Sequence, residues 1–517
     1  GQTDQAAANP GFHGKSFQGG EWHPAPIPIL FGVQGNRVHA KVCALYFDNT
    51  AKPHPLPPDS LTPHWITLHG VLVVLGLGVY MAGSHALKQR RHPSAAIAWT
   101  ISLVLLPYIA LPLYLLFGHR KLASTRRTTH PPSPPAARAQ EHLASALGLG
   151  AAARFESLAI HHNGSEALQR LQALIAGARH TLDICTFILG RDVLGDAITA
   201  LLLQRARQGL QIRLLLDGFG LYLGGHPNLQ RLRAAGIQVV LFVPPLSSPL
   251  RGRTNLRNHR KMAVADGTWL WCGGRNLAAE YFEGDTVSVL NKPVWIDLSF
   301  DLQGDLARQA QQRFDQDWTF ATTGKAAPTL PWVPQDLAPG ARARLVPSGP
   351  DQADDTFYTL LVSGCFTAQT RILAVTPYFV PDQTLLMALT LAARRGVAVD
   401  LVLPAQSNHR MADIARHAAL RDLVATGARI GLLPSMVHAK AVLIDHDLAL
   451  VGSANLDERS LFLNYELMVA FYDPPVVQQF ADWITQLQRR TLPYQAQPPG
   501  LLRELLEGLV RWVAFQL

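Results

Sequence analysis

Two stretches decide the fold: Asn258-His-Arg-Lys-Met-Ala-Val-Ala-Asp266, followed by Gly273-Gly-Arg-Asn276, and Val437-His-Ala-Lys-Ala-Val-Leu-Ile-Asp445, followed by Gly452-Ser-Ala-Asn455. Each reads His-x-Lys, four small or apolar residues, Asp, and then a Gly-containing turn ending in Asn. Residues two apart on an extended chain share a face, so His259 and Lys261 point one way, as do His438 and Lys440. The apolar residues carry each strand inward, and Asp266 and Asp445 close the strands at turns. A lone His-x-Lys says nothing, whereas two complete copies mark a repeated site.

Outward from these copies the chain reads as α/β. Strands are predicted over 182–187, 211–216 and 239–243, with helices over 193–208 and 229–235 between them. The order recurs as a strand over 371–375, a helix over 384–395, a strand over 397–403 and a helix over 417–426. Arg205-Ala-Arg-Gln-Gly-Leu-Gln-Ile212 and Ala392-Ala-Arg-Arg-Gly-Val-Ala-Val399 look like one element used twice. The reading is a duplication into two α/β lobes, 151–325 and 346–490, joined by a linker over 326–345.

The paired motif suits phosphodiester chemistry. A phosphodiester is an anion and repels nucleophiles, and Lys261 and Lys440 can offset the charge on its non-bridging oxygens. Imidazole titrates near neutrality, so one neutral histidine can attack phosphorus while a protonated one serves the leaving alkoxide. Asn276 and Asn455, with nearby Gly amides, supply donors to the same oxygens. The catalytic set is thus His259, Lys261, Asp266, His438, Lys440 and Asp445, with the two aspartates expected to hold strand ends and lysines rather than touch substrate. The chemistry demands no metal or other cofactor, and the two lysines disfavour a metal.

The N-terminal third differs. Residues 1–60 are rich in Gly, Pro, His and Asn and read as a poorly ordered extension. From 61 to 87 no Lys, Arg, Asp or Glu occurs, and a second uncharged run extends from 93 to 118. Each is long enough for the ~20 residues that cross a bilayer, so 61–120 is predicted to be a two-helix membrane anchor, with Pro107 and Pro112 kinking the second arm. A Pro-rich linker over 121–150 follows. The basic residues after the second run favour a cytoplasmic position for the C-terminal bulk.

The formal charge of +9 calls for an anionic partner, phospholipid headgroup or nucleic acid. The two uncharged runs favour lipid and a membrane, with no nucleic acid. Cys43, Cys185, Cys272 and Cys365 lie far apart and read as reduced thiols. His161, His162 and His409 read as isolated surface histidines. The arginines from 251 to 260 read as a headgroup-binding or solvated loop. Leu501–Leu517 has helical apolar spacing with Arg503 and Arg511, either an interfacial helix or one packed on the second lobe.

The sequence resembles the phospholipase D superfamily and, within it, the bacterial cardiolipin synthases. The resemblance lies in Leu256-Arg-Asn-His-Arg-Lys261, Gly273-Gly-Arg-Asn-Leu277, Thr376-Pro-Tyr-Phe-Val-Pro-Asp382, Gly452-Ser-Ala-Asn-Leu-Asp-Glu-Arg-Ser460 and Asn464-Tyr-Glu466, over roughly 65–490. It implies a two-lobed, pseudo-twofold fold on a bacterial inner membrane and a ping-pong transfer between two phosphatidylglycerols, giving cardiolipin and glycerol. His259 is then the nucleophile that becomes phosphatidyl-histidine, and His438 the acid and base. The resemblance also implies carboxylate partners across the lobes, Glu466 on His259 and Asp297 on His438. Hydrolysis, another donor such as phosphatidylethanolamine, and a phosphodiesterase-fold nuclease are the alternatives. The segment 430–437 and Thr186-Phe187 depart from the family pattern where substrate selection is expected.

Overall fold

The computed structural model describes residues 62–86, 93–118, 139–244, 255–282, 295–327, 340–352 and 354–512. The expected extension over 1–60, the basic residues after each uncharged run, the Pro-rich segment 130–135, Cys43 and Arg251 lie outside the described residues.

Two sheets carry the lobes. The first has seven strands in the order Glu156–His161, Ser299–Gln303, Trp269–Gly273, Met262–Ala265, Thr181–Thr186, Gln211–Asp217 and Gln238–Phe242. The last three run parallel and the other neighbours antiparallel. In the second sheet the same order recurs as Arg342–Ser348, Glu466–Phe471, Leu448–Gly452, Ala441–Ile444, Arg371–Val375, Ala398–Pro404 and Arg429–Leu433. The directions recur as well. Crossover helices join the parallel strands, and side-chain caps start several of them: Asp192 accepts from Gly195 N, and Asp382 from Thr384 N and Leu385 N.

Two short strands extend only the second sheet: Ala153–Arg154 pairs with Arg342–Ala343, and Leu492–Pro493 with Gly431–Leu432. The expected lobe boundaries shift accordingly. Residues 153–154 belong to the second sheet although they fall inside the expected first lobe, Arg342–Ser348 begins inside the expected linker, and a helix Ala139–Ala146 occupies part of the Pro-rich one. Edge pairing is a long-range choice that local periodicity does not report.

The two motif strands explain the layering. Met262 and Val264 pack in a core shared by both sheets, whereas Ala263 and Ala265 face the outer helices of the first lobe. Ala441 and Leu443 likewise enter the shared core, while Val442 and Ile444 face the outer helices of the second lobe. The strands are therefore buried on both faces, which is why they read as continuous apolar runs. The shared core, with Phe300, Phe314, Phe471 and Phe480, joins the lobes.

The uncharged N-terminal runs form a helix Thr62–Ala86 and two shorter helices, Pro93–Leu105 and Pro107–Phe117. The expected kink at Pro107 is a break. Proline has no N–H and disfavours a helical residue before it, and Leu106 leaves the helical region with φ −135° and ψ 55°. His69 Nε2 lies 3.1 Å from the Val104 carbonyl beside this break. Pro112 stays inside its helix. Among the described residues no helix is long and apolar enough to cross a membrane.

Candidate active site

His259 and Lys261 precede the strand Met262–Ala265, and His438 and Lys440 precede Ala441–Ile444, in extended segments that pair with the opposite lobe. His259 N donates to Tyr465 O (2.9 Å), and Tyr465 N to Arg257 O (2.9 Å). His438 N donates to Ile296 O (2.6 Å), and Ile296 N to Met436 O (2.9 Å). Backbone pairing thus fixes each histidine against the residue before a carboxylate of the other half.

Those carboxylates meet the rings. Glu466 Oε1 lies 2.9 Å from His259 Nδ1, and Asp297 Oδ2 lies 2.7 Å from His438 Nδ1. Both acids are buried, as are Lys261, Lys440, Asn276 and Asn455. The motif's second glycine position is used differently in each half. A Cβ on Gly274 would stand 2.2 Å from Asp297 Oδ1, so the absent side chain makes room for that carboxylate. The equivalent Ser453 donates its hydroxyl to Glu466 Oε2 (2.5 Å) and accepts from Leu467 N (2.9 Å).

Aromatic rings wall both imidazoles. Phe187 packs edge-on against His259 at 5.1 Å, and Tyr281 against His438 at 5.0 Å, with Trp295 at 5.5 Å on the latter. Lys261 Nζ donates to His259 O at 2.6 Å, and Lys440 Nζ lies 3.0 Å from His438 Nε2. Burial, reinforced by both lysines against the pull of Glu466, lowers His259 to about 4. Burial and Lys440 lower His438 to about 3. Burial also lowers Lys261 to about 8 and Lys440 to about 7. Burial alone would raise Asp297, but His438, Lys440 and Arg275 overcome it and hold the acid at about 2. The free site therefore keeps neutral imidazoles beside ionised carboxylates.

The motif aspartates stand elsewhere. Asp266 accepts from the backbone N–H of Arg179, His180 and Thr181, and Asp445 from that of Gln369, Thr370 and Arg371. Both have φ of 52°, the turn geometry that a short polar side chain tolerates. Seven residues of extended chain, roughly 23 Å, separate each from its histidine. They fasten strand ends, and they do not hold the lysines. Asn276 Oδ1 accepts from Ile188 N at 3.3 Å, tying the first turn to the segment that follows the strand Thr181–Thr186.

Two further expectations are corrected. His161 is fully buried, not superficial: its Nε2 lies 2.8 Å from Asp301 Oδ1 and its Nδ1 3.0 Å from Ser299 Oγ. Arg257 and Arg260 are buried rather than solvated, Arg257 on Asp217 and Arg260 on Asp317 at 2.5 and 2.6 Å. His162 and His409 are at the surface, His409 capping the helix Arg410–Val424.

Sequence reasoning missed the support behind Asp297. Arg275 donates to Asp297 O (2.6 Å), Tyr281 O (2.9 Å) and Ser299 Oγ (3.1 Å). Ser299 in turn meets His161, which meets Asp301, itself held by Arg170 and Trp269. The sole signal for this chain was Arg275 inside Gly-Gly-Arg-Asn. The assembled site can bind an oxyanion between cations, present two oriented imidazoles and exclude water with aromatic walls.

Comparison with known proteins agrees with this chemistry. The family profile "Cardiolipin synthase, PLD-like domain" matches residues 171–318 and 366–488, and "Phospholipase_D-nuclease N-terminal" matches 77–119. The chain is 33% identical to cardiolipin synthase A of Pseudomonas aeruginosa (strain LESB58), over 78% of this chain and 86% of that protein. It is 29% identical to cardiolipin synthase 1 of Bacillus anthracis, over 82% and 90% respectively. The crystal structure of phosphatidylserine synthase from Haemophilus influenzae Rd KW20 shares the fold, with TM-score 0.55 and 14% identity over 73% of this chain and all of that one. A repeated His-x-Lys site between two like lobes, matched over most of the chain, makes this protein a member of the cardiolipin synthase family, phosphatidyltransferases of the phospholipase D superfamily.

Proposed function

We propose that the protein joins two phosphatidylglycerols into cardiolipin and releases glycerol through a phosphohistidine intermediate. The observation that carries this reading is the pairing of each imidazole with a buried carboxylate of the opposite lobe, which engages Nδ1 and assigns Nε2 to the reaction. Nε2 of His259 attacks the donor phosphorus. The bond from phosphorus to the glycerol oxygen breaks, and His438 gives that oxygen a proton. The hydroxyl of the second lipid then attacks phosphorus, its proton passes to His438, and the P–N bond breaks to restore both rings. Lys261 and Lys440, with Asn276 and Asn455, offset charge on the non-bridging oxygens. Burial and Lys440 hold His438 low, and the donor's negative charge opposes that depression, favouring the protonated ring that the first step requires.

The stretch from Thr62 to Phe117 serves as the membrane anchor on the bacterial inner membrane, with the lobes cytoplasmic. Supporting this, Leu68, Val71, Val74, Ile97, Ile101 and Ile109 are more than half exposed on helices without Lys, Arg, Asp or Glu. The test is product analysis of the purified full chain with defined phosphatidylglycerol in EDTA, where cardiolipin and glycerol are expected. Phosphatidic acid as the main product would overturn the transferase reading, and total loss in EDTA would overturn metal-free chemistry. In His438→Ala protein, acid-labile label from the donor is expected on His259; label on another residue reverses the assignment.

A further inference from the structure

The C-terminal helix Leu501–Trp512 is packed inside out. A surface helix normally turns its apolar stripe to the core and its charges to water. Here Glu507 is 1% exposed and faces the protein, where Arg421 donates to both its oxygens at 3.2 and 2.5 Å and Arg503 donates to Oε1 at 3.0 Å. Val510, one turn on, packs with Val380, Ala412 and Ala415. The opposite face presents Leu501, Leu502, Leu505, Leu506 and Leu509, each 48–83% exposed. Rotating the helix to bury the leucines would strand the Glu507 carboxylate away from Arg421. The ion pairs therefore hold the leucine face outward.

Three considerations identify what covers that face. Val510 clusters with Val380, Ala412 and Ala415, and Tyr378, in the loop after Arg371–Val375, packs against that cluster and acts electrostatically on Tyr281, the ring beside His438. In that loop Thr376 Oγ1 accepts from Leu456 N, next to Asn455. The helix that carries the leucine face thus packs on the same cluster as a segment close to His438. The area argues against a second copy of the chain. Twelve helical residues span about 18 Å, and a face about 10 Å wide gives roughly 200 Å², far below the ~800 Å² per partner of a stable dimer. A bilayer surface has no such minimum, and a helix lying in its interface plane immerses just such a face.

We propose that the leucine face of Leu501–Trp512 docks into the surface of the phospholipid bilayer that supplies the substrate and seats the rim of the second lobe against it. The inference rests on the lipid-transfer reading of the site. It is tested with the full chain in proteoliposomes of phosphatidylglycerol and phosphatidylethanolamine, in a Cys43→Ser background, since Cys185, Cys272 and Cys365 are buried. A fluorophore on Leu505→Cys is expected to lose at least half its emission to lipids brominated near the headgroup end of the acyl chain. The same fluorophore on Asp447→Cys, on the turn at the far end of the His438 strand, should be unaffected. An unquenched Leu505 label overturns the proposal, and disulfide cross-linking of Leu505→Cys copies without quenching assigns the face to a dimer. Leu502→Asp/Leu505→Asp/Leu509→Asp should lower turnover of vesicle-borne phosphatidylglycerol about tenfold and leave turnover in detergent micelles unchanged; equal rates in vesicles overturn docking. Absence of transfer by the unmodified protein in micelles would instead strike the lipid-transfer reading, whatever the fluorescence shows.

Discussion

Asp297 Oδ2 stands 2.7 Å from Nδ1 of His438 although 141 residues separate them, and the two meet only because Ile296 and Val437 pair across the lobes. Glu466 and His259 repeat the relationship at 2.9 Å, over 207 residues. Each acid fixes the tautomer and direction of its ring and favours the imidazolium. Asp297→Asn and Glu466→Gln are therefore expected to lower kcat by about 10²–10⁴-fold with a small change in KM. Steady-state kinetics on folded variants checks this.

Gly274 and Ser453 predict different sensitivities at equivalent positions. Gly274→Ala places a methyl where Asp297 Oδ1 now lies, and a displacement near 1 Å is expected to cost about 10² in kcat. Ser453→Ala fits the space but removes a donor to Glu466, so a loss of roughly tenfold is expected. Ser453→Gly should not mimic the first lobe, because the two carboxylates approach their turns differently. Kinetics of the three variants separates the cases.

The lysines predict a falling alkaline limb. Buried Lys440 and Lys261, lowered to about 7 and 8, lose their protons in the free enzyme as pH rises through those values. Bound phosphodiester opposes that loss. Hence kcat/KM is expected to decline above about pH 7, whereas kcat should hold to higher pH. A pH–rate profile measured at low and at saturating lipid checks the split.

Acid should destabilise the fold. His161, His259 and His438 are all lowered from 6.5 by burial, so they are neutral when folded and protonate more readily when unfolded. Their contribution is complete above 6.5 and is lost as pH falls towards the folded values. Unfolding free energy should fall by about 1.4 kcal/mol per unit pH for each of His259 and His438 in that window, with His161 adding to the same trend. Denaturation midpoints at pH 7 and pH 5 test the sign, and His161→Gln should flatten the slope.

The chain from Arg275 to His161 predicts a positioning effect. Arg275→Lys keeps the charge but loses the fork that grips Asp297 O and Tyr281 O together. A kcat loss near tenfold is expected, with a shifted acid limb of the pH profile because Asp297 is less well held. A purely structural role would lower stability and leave the limb in place.

By itself the sequence determined the residue types and the repeat. Two His-x-Lys copies, strand periods and helix spacing placed most elements within a few residues, because burial on both faces of a strand writes itself into local composition. The helix Arg410–Val424 begins earlier than its apolar spacing suggests, since His409 caps it and its first turns bury alanines, Ala412 and Ala415, rather than large apolar side chains. Tertiary structure alone decided what meets what. The resemblance implied carboxylates across the lobes, but only inter-lobe backbone pairing brings Glu466 and Asp297 to 2.9 and 2.7 Å. It also buried His161, gave Asp266 and Asp445 the backbone amides of a neighbouring segment as partners, and turned the leucines of the last helix outward. Spacing along the chain records which faces exclude water, whereas a hydrogen bond or ion pair depends on two distant segments meeting, and no local pattern encodes that.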